Sequence, residues 1–235
     1  MTLLEIVQKF TARRGLPFAG SVVSSQDEQL LQLAGLLDEV LEDLVARPTW
    51  TGLLREAVFI STGVEDQGLI SALAPGFKYL LPQTIFNRTT RLPLLGPVSP
   101  STWQFEKAIS QTRPLTEYRI RDGKLLLRPV PVAGHTIAFE YASNFPVVDA
   151  EGVPKPYFTR DSDTCLLDEA VLLAGLTWIW RKEKGLSYAE DFRRYESLLV
   201  NSAGRDGSKP TLSMDSEPGP IRPGIVIPQS SWRLS

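Results

Sequence analysis

The chain has 235 residues, 43% of them hydrophobic and 22% charged, with 25 Lys and Arg against 27 Asp and Glu and a formal net charge of −2. That length allows one large domain or two small ones around a buried core, and the near-neutral balance excludes a general coat for nucleic acid or acidic membrane, so any DNA contact has to be local. The single cysteine, Cys165, excludes an internal disulfide framework and a cysteine-based zinc site and points to a reducing compartment, while the absence of a basic, apolar leader and of eighteen consecutive apolar residues argues against a signal peptide and a membrane span.

Three helix starts carry a Ser or Thr with Glu three residues later, a pair that can satisfy the first free amides reciprocally: Thr2/Glu5, Ser25/Glu28 and Ser187/Glu190. The first predicts a short helix with Leu3, Ile6, Val7 and Phe10 on one side, closed by Gly15 and Pro17. The second predicts a long amphipathic helix in which Leu30, Leu33, Leu37, Val40, Leu41 and Leu44 recur at three or four residues until Pro48. From Trp50 to about Pro156 the period changes to short runs. Arg55–Thr62 and Gly76–Phe86 read as strands, Tyr118–Pro129 as two strands joined by a tight turn at Asp122-Gly123, and His135–Tyr141 as another strand. Ser99-Pro100 opens a short helix through Trp103 and Phe105 to about Ile109.

Helical spacing returns at Asp161–Lys184, where Asp161, Ser162 or Asp163 can cap and Gly185 can terminate about six turns. This is the most apolar helix, burying Leu166, Leu167, Ala170, Leu173, Ala174, Thr177 and Trp178, with Arg181, Lys182 and Lys184 at its negative end. Ser187 to about Ala203 forms the next, with Tyr188, Phe192, Tyr195, Leu198 and Leu199 inward. The expected architecture is α+β. Residues 1–48 and 159–205 supply helices of a common core, residues 49–158 a β-rich insertion, and residues 206–235 an extended arm; no internal repeat occurs.

Candidate chemistry is sparse. His135 is the only histidine, it sits at a strand start, and no GxSxG nucleophile elbow accompanies it, so it reads as structural rather than as part of a relay. Asp161, Asp163 and Glu169 offer oxygen ligands for a divalent cation, but helix capping explains carboxylates at that position as well. Without a Walker loop or GxGxxG, phosphate and dinucleotide chemistry has no seat. Cys165, placed on the first turn of the long helix, reads as a packed side chain. Asn87-Arg88-Thr89 matches a glycosylation acceptor, which carries no weight without a secretory signal. Arg88 and Arg91, with the pairs Arg13-Arg14, Arg181-Lys182 and Arg193-Arg194, could meet phosphates along a DNA path, or serve helix ends and solvated faces.

The last residues pose the sharpest question. Pro218–Pro228 holds four prolines in eleven residues, which forbids a helix, yet Ile221, Ile225, Val226, Ile227, Trp232 and Leu234 are not the side chains of a solvated tail. Plain disorder is the alternative. Burial of one such tail is marginal against the cost of ordering it, whereas identical tails on a symmetric partner gain effective concentration from one another. The economical expectation is an arm that docks on a neighbouring subunit or partner, with Ile225–Ile227 able to pair as a strand with an open sheet edge.

In this order, "LLEIVQKFTARRGLPFAGSVVSSQDEQLLQLAGLLDEVLEDL", "FNRTTRLPLLGPVSPSTWQ", "FEYASN" and "FTRDSDTCLLDEAVLLAGLTWIWRKEKGLSYAEDFRRYESLL" resemble the head-to-tail adaptors of short-tailed bacteriophages, also described as the tail accessory or tail tubular protein A family. The similarity covers about Leu3 to Gly207. It implies a helical core with a β insertion, assembled as a ring, commonly of twelve copies, at the head-tail junction of the virion after assembly in the bacterial cytoplasm. One side would meet the portal protein, the other the tail nozzle or tail fibre proteins, and DNA would pass through the hole without sequence-specific contacts. No cofactor, metal or membrane is implied. C-terminal arms of such adaptors can tie the ring to the portal, which would give Ile221, Ile225, Val226, Ile227 and Trp232 their partner, although Pro218–Ser235 lies beyond the matched part. Some relatives in the broader group are assigned cell-wall hydrolase activity; for that alternative the carboxylate pair to consider is Glu140 with Glu151.

Overall fold

Thr2 and Glu5 close the first helix reciprocally: the Glu5 N–H donates to Thr2 Oγ1 at 3.3 Å and the Thr2 N–H to Glu5 Oε2 at 3.0 Å. The computed structural model describes residues 1–47, 49–109 and 114–207. In it, helix α1 (Leu3–Arg14) buries Leu3, Ile6, Val7 and Phe10 and ends at Gly15, whose φ of 65° is left-handed. Helix α2 (Glu28–Ala46) buries the leucine stripe through Leu44. Its cap is Asp27, which accepts from the Gln29 N–H at 2.9 Å; Ser25, the expected cap, accepts from the Asp27 N–H at 3.1 Å and closes a tight turn before the helix.

After a single 3-10 turn (Thr51–Leu53) come β1 (Leu54–Ile60), β2 (Asp66–Leu69), the one-turn helix α3 (Ile70–Leu73), β3 (Phe77–Leu80), β4 (Phe86–Asn87) and β5 (Leu92–Pro93). The expected single strand over Gly76–Phe86 is thus two. Pro82 has no N–H to offer a ladder, and Gln83 turns the chain with a φ of 62°. Helix α4 (Pro100–Ile109) buries Trp103 completely. Strands β6 (Glu117–Arg121) and β7 (Lys124–Arg128) form the hairpin, with Asp122 and Gly123 at φ of 55° and 69°. Strand β8 (Thr136–Ser143) comes next, then β9 (Val147–Val148), β10 (Pro154–Lys155) and β11 (Thr164–Cys165).

The expected helix over Asp161–Lys184 is shorter. Helix α5 (Glu169–Glu183) starts after Asp168, which accepts from the Ala170 N–H at 2.8 Å. Its supposed first turn is a loop and β11, because the acids there are bonded elsewhere. Asp161 accepts from Ser21 Oγ and from the Val22 and Val23 amides, each amide 3.0 Å away; Asp163 accepts from the Thr159 and Arg160 amides at 2.7 and 2.9 Å. Helix α6 (Ala189–Asp206) starts after Tyr188 with no side-chain cap, so the Ser187/Glu190 pair does not act as expected.

The result is α+β. One core cluster joins α1, α2, α5 and α6 with Val147 of β9 and Cys165 of β11. The chain start is stitched to it, the Leu3 N–H donating to Asp163 O and the Cys165 N–H to Met1 O, both at 3.0 Å. A second cluster lies between two sheets, one ordered β1-β8-β4-β5 with β3 also on β8, the other β2-β7-β6. Among the described residues no helix is long and apolar enough to cross a membrane.

One edge of the first sheet is open. Thr136 and Glu140 use their backbone groups toward β3 and β4: Thr136 O accepts from the Arg88 N–H and Glu140 O from the Leu81 N–H. In the antiparallel register Glu56 faces Glu140 and Ile60 faces Thr136, so the bonded pairs are Ala57 with Phe139 and Phe59 with Ile137. The N–H and C=O groups of Glu56, Val58 and Ile60 therefore point off the sheet, and no other described strand pairs with β1.

The helical layer turns on Gly175 of α5. A Cβ there would stand 2.6 Å from Val40 Cγ1 of α2 and 3.1 Å from the Tyr195 ring of α6. Gly175→Ala should therefore destabilise by about 1–3 kcal/mol through overpacking, outweighing the better helix propensity of alanine. Gly35→Ala on α2, where nothing lies within 4 Å, should stabilise by about 0.5–1 kcal/mol. Urea unfolding of both variants checks this, and equal shifts would contradict the close crossing.

Candidate functional site

The outer face of β1, β8 and β4 carries a register row of Val58, Ala138, Phe86 and Pro93, the last from β5. On one side of the row Glu56 faces Glu140. A groove of about 610 Å³ opens here, bounded by Glu56, Phe86, Arg88, Arg91 and Glu140. Like charges directly opposite across a sheet repel, and Arg88 relieves this by donating from Nη2 to Glu56 Oε1. Both partners are about half exposed, at 51% and 50%, so the pair steers orientation more than it stabilises the fold.

The turn between β4 and β5 holds the two arginines at the rim. Asn87 Oδ1 accepts from the Thr89 and Thr90 amides at 3.0 and 3.1 Å. With that oxygen engaged, Asn87 Nδ2 donates to His135 Nδ1 at 3.0 Å, leaving the imidazole proton on Nε2. His135 thus supports a turn. Arg91 completes that turn at a φ of 60°, with its side chain exposed. Sequence reasoning found Arg88, Arg91 and Glu140 but missed Glu56, whose position opposite Glu140 depends on strand register.

The other candidates disperse. Glu140 lies on β8 and Glu151 in the turn between β9 and β10, in separate sheets, so the carboxylate pair considered for hydrolysis is not brought together. Glu169 pairs with Lys9 at 2.7 Å, away from the bonds made by Asp161 and Asp163, and among the described residues no cluster of His, Cys, Asp or Glu is suited to a metal ion. Burial alone would raise Asp163, but the Thr159 and Arg160 amides and Lys155 hold it below its ordinary value. Cys165 lies in β11 rather than on a helix, and burial pushes its thiol up to about 11, an inert state. Arg14 lies over the Phe10 ring, Lys182 over Trp178, and Arg181 pairs with Asp191 at 2.6 Å; Arg193 and Arg194 are exposed on α6.

The arm residues Ile221, Ile225, Val226, Ile227 and Trp232 lie outside the described residues. The point from which the chain departs toward them is well defined. Asp206, the last residue of α6, accepts from the Thr51 N–H and from Thr51 Oγ1, both at 2.6 Å, three residues before β1 begins. A hollow of about 350 Å³, lined by Trp50, Leu167, Asp168, Arg205 and Asp206, adjoins this anchor.

Compared with protein-family models and with curated proteins, the chain matches none.

One acid on the helical layer is held out of its ordinary range. Burial, and then the neighbouring Glu42 one turn away, raise Asp38 to about 6, while Glu42 accepts from the Tyr157 hydroxyl at 2.6 Å. Because its folded value is raised, the folded chain keeps a proton that the unfolded chain releases, and stability falls as pH rises from the ordinary value of 3.8 through about 6. Asp38→Asn should therefore raise the melting temperature at pH 7.5, with the gain shrinking to nothing below about pH 4. Thermal unfolding across that range checks it, and a gain independent of pH would contradict the assignment.

Proposed function

We propose that this chain is a structural virion protein, the head-to-tail adaptor of a short-tailed bacteriophage. Copies form a closed ring, of the twelvefold kind its resemblance implies, between the portal at the capsid vertex and the tail, around the DNA channel. In this reading the helices of both chain ends form a rigid core, the β-rich segment between them a collar toward the tail nozzle or fibres, and the C-terminal arm a tie to a neighbouring polypeptide, the portal above all. Arg88 and Arg91, at the rim of the outer-face groove, contact the next copy or the passing DNA backbone.

The observation that carries this reading is the anchor at Asp206. Two short bonds to Thr51 hold the end of α6 against the chain entering β1, and the sequence beyond α6 is rich in Pro and Gly, with an apolar block that cannot fold alone. A rigid exit leading into a chain that needs an outside surface is the build of an assembly tether. The order of segments between Leu3 and Gly207, in the sequence, supports the same reading.

Removing Glu217–Ser235 should leave a folded protein, with unchanged melting temperature, that no longer attaches to portal rings in sedimentation. Attachment at wild-type strength by the shortened chain would refute the tether.

A further inference from the structure

We infer that the open edge of β1 is the acceptor for the C-terminal arm of an adjacent copy, with Gly224–Ile227 added as a strand beside Glu56–Ile60. The inference rests on the assembly reading above and says where the tie is made between copies. A strand with free outward N–H and C=O groups is a template for pairing, and soluble proteins cover or blunt such edges. This one carries no proline, and its charged residues, Arg55 and Glu56, lie toward its start, leaving Ala57–Ile60 uncharged. Val58 and Ile60 stand 50% and 57% exposed on it, while their neighbours Ala57 and Phe59 are buried below. At the far end the edge is closed, since Gln67 Oε1 accepts from the Thr62 N–H at 3.0 Å. The open stretch is therefore bounded to about the length of a short strand.

The sequence holds one segment with matching limits. Ile225-Val226-Ile227 is flanked by Pro223 and Pro228, which lack the N–H that continued pairing needs. β-branched residues suit an extended strand, and alternate ones would lie beside Val58 and Ile60. The tether decides between the chain's own edge and a neighbour's. Residues 208–224 can span up to roughly 55–60 Å, whereas β1 begins three residues from the anchor at Thr51. Prolines at 210, 218, 220 and 223 favour an extended path. Such a tether can reach past one subunit, whose diameter at this length is roughly 40–45 Å, whereas closing on its own edge would require an extended chain to double back. Each copy then offers one edge and one strand at different places, the heterologous contact that closes rings. Trp232 and Leu234, beyond Pro228, stay available for the portal.

Amide hydrogen exchange of the full-length protein tests this. When copies associate, the outward amides of Glu56, Val58 and Ile60 should exchange about tenfold more slowly or better, and they should return to fast exchange on dilution to single copies. Val226→Asp should abolish that slowing and leave the amides of Ala57 and Phe59 protected. Val58→Pro, which removes an outward N–H while sparing the β1–β8 bonds, should weaken association more than Val58→Ala, which keeps that N–H. Fast outward exchange in the associated protein overturns the inference, as does protection that survives in single copies or in Val226→Asp. Portal attachment with these amides still open would overturn this pairing and leave the adaptor reading standing; a chain that never joins a portal would overturn the adaptor reading itself.

Discussion

The helical layer depends on a missing methyl group. At Gly175 the α5 backbone comes close enough to α2 and α6 that a β-carbon would meet Val40 and Tyr195. Valine is branched at Cβ and Val40 is buried, so it has nowhere to turn. That contact fixes the spacing at which Tyr195 can donate to Asp43 at 2.7 Å and Trp178 can pack edge-on to Phe192 at 5.2 Å. With α5 and α6 set in this way, the end of α6 falls beside Thr51, and its place is determined by a crossing two turns and more away.

A second constraint joins the two ends. Asp161 and Asp163 look like helix caps in the sequence, and they do serve free amides, but of other segments. Asp161 holds the turn after α1, and Asp163, fully buried, gathers the loop before β11 with Lys155. Together with the Leu3 and Cys165 backbone bonds these close the N-terminal helix onto the strand that precedes α5. The β-rich segment therefore departs from and returns to a tied base, and its outer sheet face and β1 edge are presented in a defined direction from the helical layer.

Much of this was legible along the chain. The Thr2/Glu5 cap, the leucine stripe of α2, the Asp122-Gly123 hairpin and the proline start of α4 are local signals, and local signals survive into the fold. The failures lie where neighbouring or remote groups compete for a cap. Asp27, two residues on, displaces Ser25, α6 starts without a side-chain cap although Ser187 precedes it, and Asp161 is claimed by the segment around Ser21, 140 residues away. The site obeys the same rule. Arg88, Arg91 and Glu140 could be singled out by residue type, whereas Glu56 gains its meaning only from β1–β8 register, and Cys165 lost its helical environment when α5 began at Glu169. An open edge is also invisible in a sequence, because it is defined by what does not pair.

The adaptor reading we propose would join the anchored end of α6, the apolar block in the sequence beyond it and the unpaired edge of β1 in one assembly. Its most direct test is the mass of the full-length protein in solution, alone and mixed with a portal ring. The assignment predicts a discrete gain corresponding to a closed ring of copies on each portal. A chain that remains a single copy in the mixture, with no mass added to the portal, would contradict it.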